Sequence, residues 1–349
     1  MSALDPLPPA TTPDATPAAT PDATPAATPD ATPDAAPDAG EVSALHGRGR
    51  YESATAGWLG TLRRYVLVTK PRIIELLLIT TVPSMVVAAG GWPGTWRVAA
   101  TLLGGTLSAG SANAINNHLD RDIDRIMDRT SGRPTASDQI PPGAALRLGL
   151  VLGVVGFAWL ALLVNLAAAL MATSAILFYV FVYTLGLKRR TSQAVVIGGA
   201  AGCAPVLTGW VAVPGASLAD PTPWLLFAIL FWWQPPHFWA LAIKYREDYA
   251  KAGLPMLPVI AGVAETTRQI WLYSWLLLSI VLLYAVGAGP TADVGPLFVV
   301  TAGALTIGWL WLAWQLRRDR TVKAAMRLFI WSTSWLALVF TAAAVDAVL

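Results

Sequence analysis

Nine apolar runs dominate the chain from Ile73 onward, at roughly 73–90, 97–119, 145–164, 167–187, 193–213, 222–244, 268–288, 295–315 and 325–348. Each is near the length of about 20 residues that a helix needs to cross the hydrocarbon of a bilayer. None alternates in the manner of a membrane β-strand. Lipid offers no partner for backbone polar groups, so helices are the expected solution. The pattern predicts an all-α polytopic membrane protein: a bundle of about nine transmembrane helices around a central cavity opening to the cytoplasmic side.

The chain ahead of these runs is different. Residues 1–45 consist mostly of PDATPAAT-like repeats of Pro, Ala, Thr and Asp, without an aromatic residue up to about Ala39. Such a segment buries too little apolar surface to offset its ordering entropy, so a disordered tail is expected. It also lacks the basic and apolar regions of a secretory signal. Residues 46–349 are expected to form the transmembrane domain.

Composition agrees with a membrane protein: 55% of the 349 residues are hydrophobic and 13% charged. The single cysteine, Cys203, excludes an intrachain disulfide. Three histidines, His46, His118 and His237, argue against a multi-histidine metal centre. The formal charge of +3 points to no nucleic-acid partner, and the expected surroundings are the lipid bilayer. The positions of the cations say more. One side receives Arg63 to Arg72, Arg121 to Arg133, Lys188 to Arg190, Lys244 to Lys251 and Arg317 to Lys323, whereas the other receives almost only Arg97. This asymmetry predicts a cytoplasmic N-terminus and an external C-terminus in a cell's inner (plasma) membrane.

Both long loops, about 120–144 and 245–267, fall on the cytoplasmic side, where function is to be sought. The first follows NNHLDRDIDRIMDRTSGRP from Asn116. Asn116, Asp120, Asp124 and Asp128 recur every four residues and would form one stripe on a helix. Like charges at that spacing repel, and a divalent cation bridging to phosphate would relieve the repulsion. Mg²⁺ held by Asp120 and Asp124, with the Asn116 amide oxygen assisting, is the functional reading. The plainer reading is a salt-bridged helix end, with Arg121 reaching Asp124 and Arg125 reaching Asp122; it suits Asp122 and Asp128. Arg129 and Arg133 follow as candidates for phosphate, with Lys70, Arg72, Lys188 and Lys244 on the same side. For any of these cations the alternative is a topological role alone.

The second stretch, FWWQPPHFWALAIKYREDYAKAGLPMLPV, interrupts an apolar run with Gln234, Pro235, Pro236 and His237. Consecutive prolines are expected to bend or break the helix and to turn Gln234 and His237 toward the interior. For His237 a helix-interface hydrogen bond is the simpler alternative. Asp248, in the charged cluster that follows, is expected to complete the metal shell. Trp232, Trp233 and Trp239 suit either an interfacial belt or a cavity wall. Glu75 is expected to pair with Lys70 or Arg72, or to serve catalysis.

Five segments carry a resemblance: TKPRIIELLL from Thr69, NNHLDRDIDRIMDRTSGRP from Asn116, VIGGAAGCAPVLTGW from Val196, WWQPPHFWALAIKYREDYAKAGLPMLPV from Trp232 and AMRLFIWS from Ala325. From about Leu67 to Asp346 the chain resembles the heme O synthase branch of the UbiA-type intramembrane aromatic prenyltransferase superfamily. The Asn-x-x-x-Asp-x-x-x-Asp pattern marks the superfamily, and PHFWALA with GLPMLP marks the narrower branch. Ala194 departs from the Asn expected there.

The resemblance implies transfer of farnesyl from farnesyl diphosphate to a vinyl group of heme b, with addition of water, giving heme O. It implies Mg²⁺ at Asn116, Asp120, Asp124 and Asp248. It implies diphosphate contacts from Lys70, Arg72, Arg129, Arg133, Lys188 and Lys244, and heme contacts from His237 and Trp233. Heme-modifying or oxidase-assembly proteins are the expected partners. Two other readings stay open: prenylation of a quinone precursor or chlorin, and secondary transport, which also uses broken helices and intramembrane charge.

Overall fold

A computed structural model describes residues 57–141, 143–287 and 294–349. The N-terminal tail expected at 1–45 lies outside the described residues, and so does the side chain of Glu75. What is described is helical. In chain order the elements are α1 (Trp58–Val68), α2 (Pro71–Ala89), α3 (Thr95–Leu119), α4 (Arg121–Ile126), α5 (Ala144–Leu163) and α6 (Leu166–Leu177, prolonged as a wider coil over Phe178–Leu187). They continue as α7 (Ala194–Val211), α8 (Thr222–Lys244), α9 (Arg246–Lys251), α10 (Leu257–Ile260), α11 (Gly262–Gly287), α12 (Pro296–Asp319) and α13 (Val322–Asp346).

Among the described residues seven helices are long and apolar enough to cross a membrane: α5, the α6 coil as a whole, α7, α8, α11, α12 and α13. The protein is a multi-pass membrane protein. The other two expected spans also form helices, α2 of 19 and α3 of 25 residues. α3 is diluted by glycine, serine and asparagine, because its buried face is spent on close packing and polar contacts rather than on lipid.

The bundle is apolar outside as well as inside. Leu150, Val154 and Leu162 of α5, Leu282 and Val286 of α11, and Val300 and Ile307 of α12 are exposed. In water these surfaces would be a liability; in a bilayer they are the contact with acyl chains. The central members differ. Two-thirds of the apolar window of α7 and of α8 is buried (67%), against 17% for α5. α8 packs on α7, α11 and α13, and α3 packs mainly on α5.

α1 was not among the expected elements. Its exposed Trp58, Leu59, Leu62 and Val66 recur at helical spacing beside Arg63 and Arg64, the pattern of a helix lying in a membrane interface. Two asparagines of α3 tie down its end: Asn117 Nδ2 donates to the Val68 carbonyl (2.6 Å) and Asn113 Nδ2 to that of Thr69 (2.9 Å).

Small residues let the helices approach. A Cβ on Gly149 of α5 would come within 2.6 Å of the Ile115 side chain and 3.0 Å of the Ser111 carbonyl. Gly156 and Gly104 meet Ser108 and Leu160 in the same interface. This is the small-residue packing that replaces the hydrophobic drive inside lipid. Three buried indoles find acceptors: Trp233 bonds the Ser332 carbonyl, Trp309 the Ser274 hydroxyl and Trp335 the Thr306 hydroxyl, at 2.8, 2.9 and 3.1 Å.

Of the bend or break expected at Pro235 and Pro236, the break is absent: α8 runs unbroken from Thr222 to Lys244. Enclosure by α7, α11 and α13 holds the helix together, as neighbours do for proline in membrane spans.

Substituting Gly149→Val is expected to cost about 1–3 kcal/mol through overpacking. Gly303→Ala, with nothing within 4 Å of the new methyl, should leave stability unchanged or slightly higher. Thermal unfolding of the two purified variants in detergent, side by side, checks the contrast.

Candidate active site

The loops between helices meet at one end of the bundle and close around a cavity of about 350 Å³, within the range of small-molecule sites. Its floor and walls come from α3, the α6 coil, α7 and α8. Along α3 it is lined by Ser108, Ala109, Ala112, Asn113 and Asn116, mostly small side chains, and across from them by Gly198, Gly199, Gly202, Trp233 and Gln234. At the loop end it is ringed by Lys70, Asp124, Arg129, Arg133 and Lys188.

The four-residue spacing holds through the joint between α3 and α4. Asp120 N–H donates to the Asn116 carbonyl (2.9 Å) and Asp124 N–H to that of Asp120 (2.8 Å), so Asn116, Asp120 and Asp124 keep one stripe. The stripe ends at Met127, whose backbone is extended. Asp128 therefore leaves it and pairs with Lys251 at 3.0 Å, both half exposed. Asp120 and Asp124 are buried, at 1% and 3% exposure.

Buried carboxylates need cations, and each has one. Arg133 Nη1 donates to both oxygens of Asp124 at 2.9 and 2.7 Å. Lys188 Nζ donates to Asp120 Oδ2, which also accepts from Asn116 Nδ2 at 2.7 Å. Lys70 Nζ donates to Asn116 Oδ1 at 2.7 Å. Lys70 adopts a left-handed backbone (φ 55°), rare for so bulky a side chain. Pro71 disfavours the ordinary helical conformation of its predecessor, and the asparagine clasps on α1 fix what remains. The lysine is thereby delivered to the ring.

The salt-bridged helix end takes a different form from the one expected. Arg121 and Arg125 both turn to Asp138. Asp122 pairs with Arg189 at 2.6 Å, whose hydrogen bond holds the Asp122 carboxyl below its ordinary range. Arg189 also lies 4.0 Å from Asp120.

Several expected residues are elsewhere. Asp248 is buried but faces the loop rather than the cavity; its oxygens accept the backbone N–H groups of Asp128 and Arg129 at 3.1 and 3.0 Å. It thus fixes the loop that carries Arg129. Arg72 is exposed and Lys244 rests over the Tyr245 ring, 5.3 Å from its centroid; neither lines the cavity. His237 is buried between Trp233 and Phe329, with ring centroids 4.2 and 4.4 Å away, and its Nδ1 lies 2.6 Å from Ser332 Oγ. It serves the α8–α13 interface, because unbroken helix turns it away from the hollow; Trp233 does line it. Ala194 also lines the cavity, so the absent Asn leaves an apolar patch there.

Other contributors were not singled out from the sequence. Tyr179 and Tyr183 stack at 5.2 Å and line the wall. Thr184 accepts from Asn116 (3.1 Å) and donates to the Tyr179 carbonyl five residues back (2.8 Å). In FYVFVYTLGL an aromatic lining and an interfacial belt look alike, and only the widened coil separates them.

Two orphaned groups test whether the site fits a metal-bound anion. Asp120 Oδ1 is a buried acceptor without a donor, and Arg129 Nε is a buried donor without an acceptor. The Arg129 guanidinium is held over the rings of Tyr245 and Tyr249, 4.9 and 5.6 Å from their centroids. Arg129 lines the cavity, so its unmet N–H suits a phosphate oxygen, whereas Asp120 lines a neighbouring hollow with Asp122, Thr184 and Arg189, whose guanidinium is 4.0 Å from Oδ1. The donor set is carboxylate plus amide oxygen, as Mg²⁺ prefers. Among the described residues no three His, Cys, Asp or Glu side chains converge to hold an ion by themselves, so substrate oxygens would have to complete the shell.

Comparison with known proteins agrees with this geometry. The chain is 52% identical over 291 residues to protoheme IX farnesyltransferase 1 of Saccharopolyspora erythraea, covering 82% of this chain and 90% of that one. It is 50% identical over 292 residues to protoheme IX farnesyltransferase of Frankia alni, covering 82% and 98%. Among solved structures, a digeranylgeranylglyceryl phosphate synthase superposes with a TM-score of 0.67 at 18% identity, over 82% of this chain and 98% of that one. A UbiA homolog from Archaeoglobus fulgidus bound to DMAPP and Mg²⁺ superposes with a TM-score of 0.61 at 18% identity, over 81% and 99%. The bundle is thus a shared fold, and the model of the UbiA prenyltransferase family matches residues 77–339, from α2 to α13 with every cavity wall between them: the chain belongs to that family.

Proposed function

We propose that this protein transfers the farnesyl group of farnesyl diphosphate to a vinyl group of heme b, with addition of water, to give heme O and diphosphate. The observation that carries the chemistry is the ring of four cations, Lys70, Arg129, Arg133 and Lys188, at the head of an apolar hollow, with buried Asp124 among them and buried Asp120 held behind through Lys188. High identity to protoheme IX farnesyltransferases over most of the chain supports the choice of acceptor.

In this reading the diphosphate enters the cation ring and the isoprenoid chain lies along the small side chains of α3. Asp120 and Asp124, with Asn116 assisting, would hold Mg²⁺, which would supply positive charge to the departing diphosphate. Arg133 and Lys188 exchange their carboxylates for phosphate oxygens, and Arg129 Nε finds its acceptor there. Charge-assisted hydrogen bonds of this kind favour the leaving group over the bound ester. Tyr179 and Tyr183 present ring faces beside the ring of charges, where an allylic cation would be stabilised. The apolar walls keep bulk water from that cation. Trp233 offers a flat surface to the macrocycle. Asp248 acts as a positioning residue for Arg129 rather than as a ligand.

Membrane placement follows the same lines. Cations of the described residues crowd the end of the bundle that holds the ring, and Arg97 stands at the other, bonded to the Pro93 carbonyl. This supports a cytoplasmic mouth in the plasma membrane. Residues 46–349 are proposed as the catalytic domain, with 1–45 as a tail.

The reading is tested by mass analysis of heme from membranes supplied with heme b and farnesyl diphosphate. A gain of farnesyl plus water is expected, and unmodified heme would refute it. Asp120→Ala and Asp124→Ala should each lower turnover at least about a hundredfold while the protein still inserts. A chelator should do the same to the native protein, with recovery on adding Mg²⁺. Asp248→Ala should raise KM for farnesyl diphosphate about ten- to hundredfold, the worth of charge-assisted backbone bonds, with a smaller change in kcat. His237→Ala should lower thermal stability and leave KM for heme unchanged, which steady-state kinetics on the purified variant would check.

A further inference from the structure

One cavity group has no part in the chemistry so far. Gln234 sits on α8, ten residues inward of Lys244, or about 15 Å of helix, and lines the cavity. It is 6% exposed. Its Nε2 donates to the Gly199 carbonyl at 3.0 Å and meets Cys203 Sγ at 2.9 Å. The carbonyl can only accept, so it decides which end of the amide is nitrogen. Oε1 is left on the other side, and no donor meets it among the described residues. Glycines make room for it: a Cβ on Gly199 or Gly202 would stand 3.1 or 2.9 Å from Oε1. Both glycines line the cavity too. A side chain this enclosed, pinned through one end and unsatisfied at the other, is built to offer an acceptor to something in the hollow.

We propose that Gln234 is a positioning residue for the water that completes the reaction; this rests on the function proposed above. That reaction needs one water, and only after the carbon–carbon bond has formed. Departure of diphosphate with its bonding pair leaves an allylic cation. The vinyl π pair then makes the new bond to the farnesyl carbon, and the positive charge moves to the vinyl carbon next to the macrocycle. A water lone pair forms the carbon–oxygen bond, and one water proton passes to a diphosphate oxygen. Without a held water the same cation loses a neighbouring proton instead, and the product is an alkene lighter by one water. Much of the lining is apolar, Gly198, Ala201, Leu230 and Trp233 among it; Thr80, Thr81, Ser108 and Thr208 add hydroxyls from other helices, and Gln234 is the one carboxamide that α8 contributes among the described residues. An amide oxygen accepts one hydrogen bond from water without carrying a charge, so it orients the nucleophile and leaves the cation unquenched.

The test compares products rather than rates. Heme b and farnesyl diphosphate are supplied to membranes holding the native protein or Gln234→Leu, and the farnesylated hemes are separated by mass. The native protein should give the hydrated product. Gln234→Leu should shift most of its product to the dehydrated form, at least about tenfold in the ratio, with KM for farnesyl diphosphate unchanged. The ratio does not depend on how much variant folds. Gly202→Ala, which presses a methyl group onto Oε1, should move the ratio the same way. If Gln234→Leu turns over too little for products to be measured, Gly202→Ala decides. An unchanged hydrated fraction in the deciding variant would overturn the proposal, and a native protein that makes no farnesylated heme would overturn the function on which it rests.

Discussion

Two carboxylates buried inside a lipid-facing bundle govern everything at this protein's charged end. Asp120 and Asp124 sit where the dielectric is low and an uncompensated charge costs several kcal/mol. Each must therefore keep a cation within hydrogen-bonding distance, and Lys188 and Arg133 do so. Those partners arrive from separate segments, the end of the α6 coil and the loop after α4. The acids thus act as a knot that gathers the loops, and the hollow exists because the loops are gathered. Arg121 and Arg125 on Asp138, Arg189 on Asp122 and Lys251 on Asp128 continue the same lacing on the exposed side. Being exposed, those outer pairs contribute little energy singly; their effect is to set loop geometry.

The same charges explain why binding and folding use one set of residues. A pair held by charge alone can be exchanged for another pair. A ring with more cations than acids is underfilled until an anion enters, and the orphaned Arg129 Nε is where that deficit shows. The hollow below makes no such demand. Its α3 wall carries glycine, alanine and serine because α3 also has to press against α5, so the small residues that permit helix contact on one face leave space on the other.

How much of this was legible in the chain follows from the range of the interactions. Apolar runs report lipid contact residue by residue, so membrane helices could be read directly. The Asn116–Asp120–Asp124 stripe could be read because its spacing is local. The contacts of Asp248 could not be read, because the backbone amides of Asp128 and Arg129 that it accepts from are about 120 positions away and leave no mark in sequence. His237 was misplaced because two prolines suggested a break that tertiary packing prevents. Arg72 and Lys244 show that lying on the correct side of a membrane does not aim a side chain inward. Tyr179, Tyr183 and Thr184 escaped notice because a widened coil has no hydrophobic signature of its own.

That coil has a further effect. Over Phe178–Leu187 the helix is wound wider, with backbone bonds reaching back five residues instead of four, as from Lys188 N–H to the Tyr183 carbonyl; the Thr184 hydroxyl reaches the Tyr179 carbonyl over the same interval. A slower winding rotates whatever follows it relative to an ordinary helix. The ammonium of Lys188 reaches Asp120 from the end of that coil; wound at the usual pitch, the same sequence would set it at a different angle around the helix axis. Angular phase along one helix therefore sets how closely the ammonium approaches the acid, and the loosened winding works as a fine adjustment screw between the bundle and its chemistry.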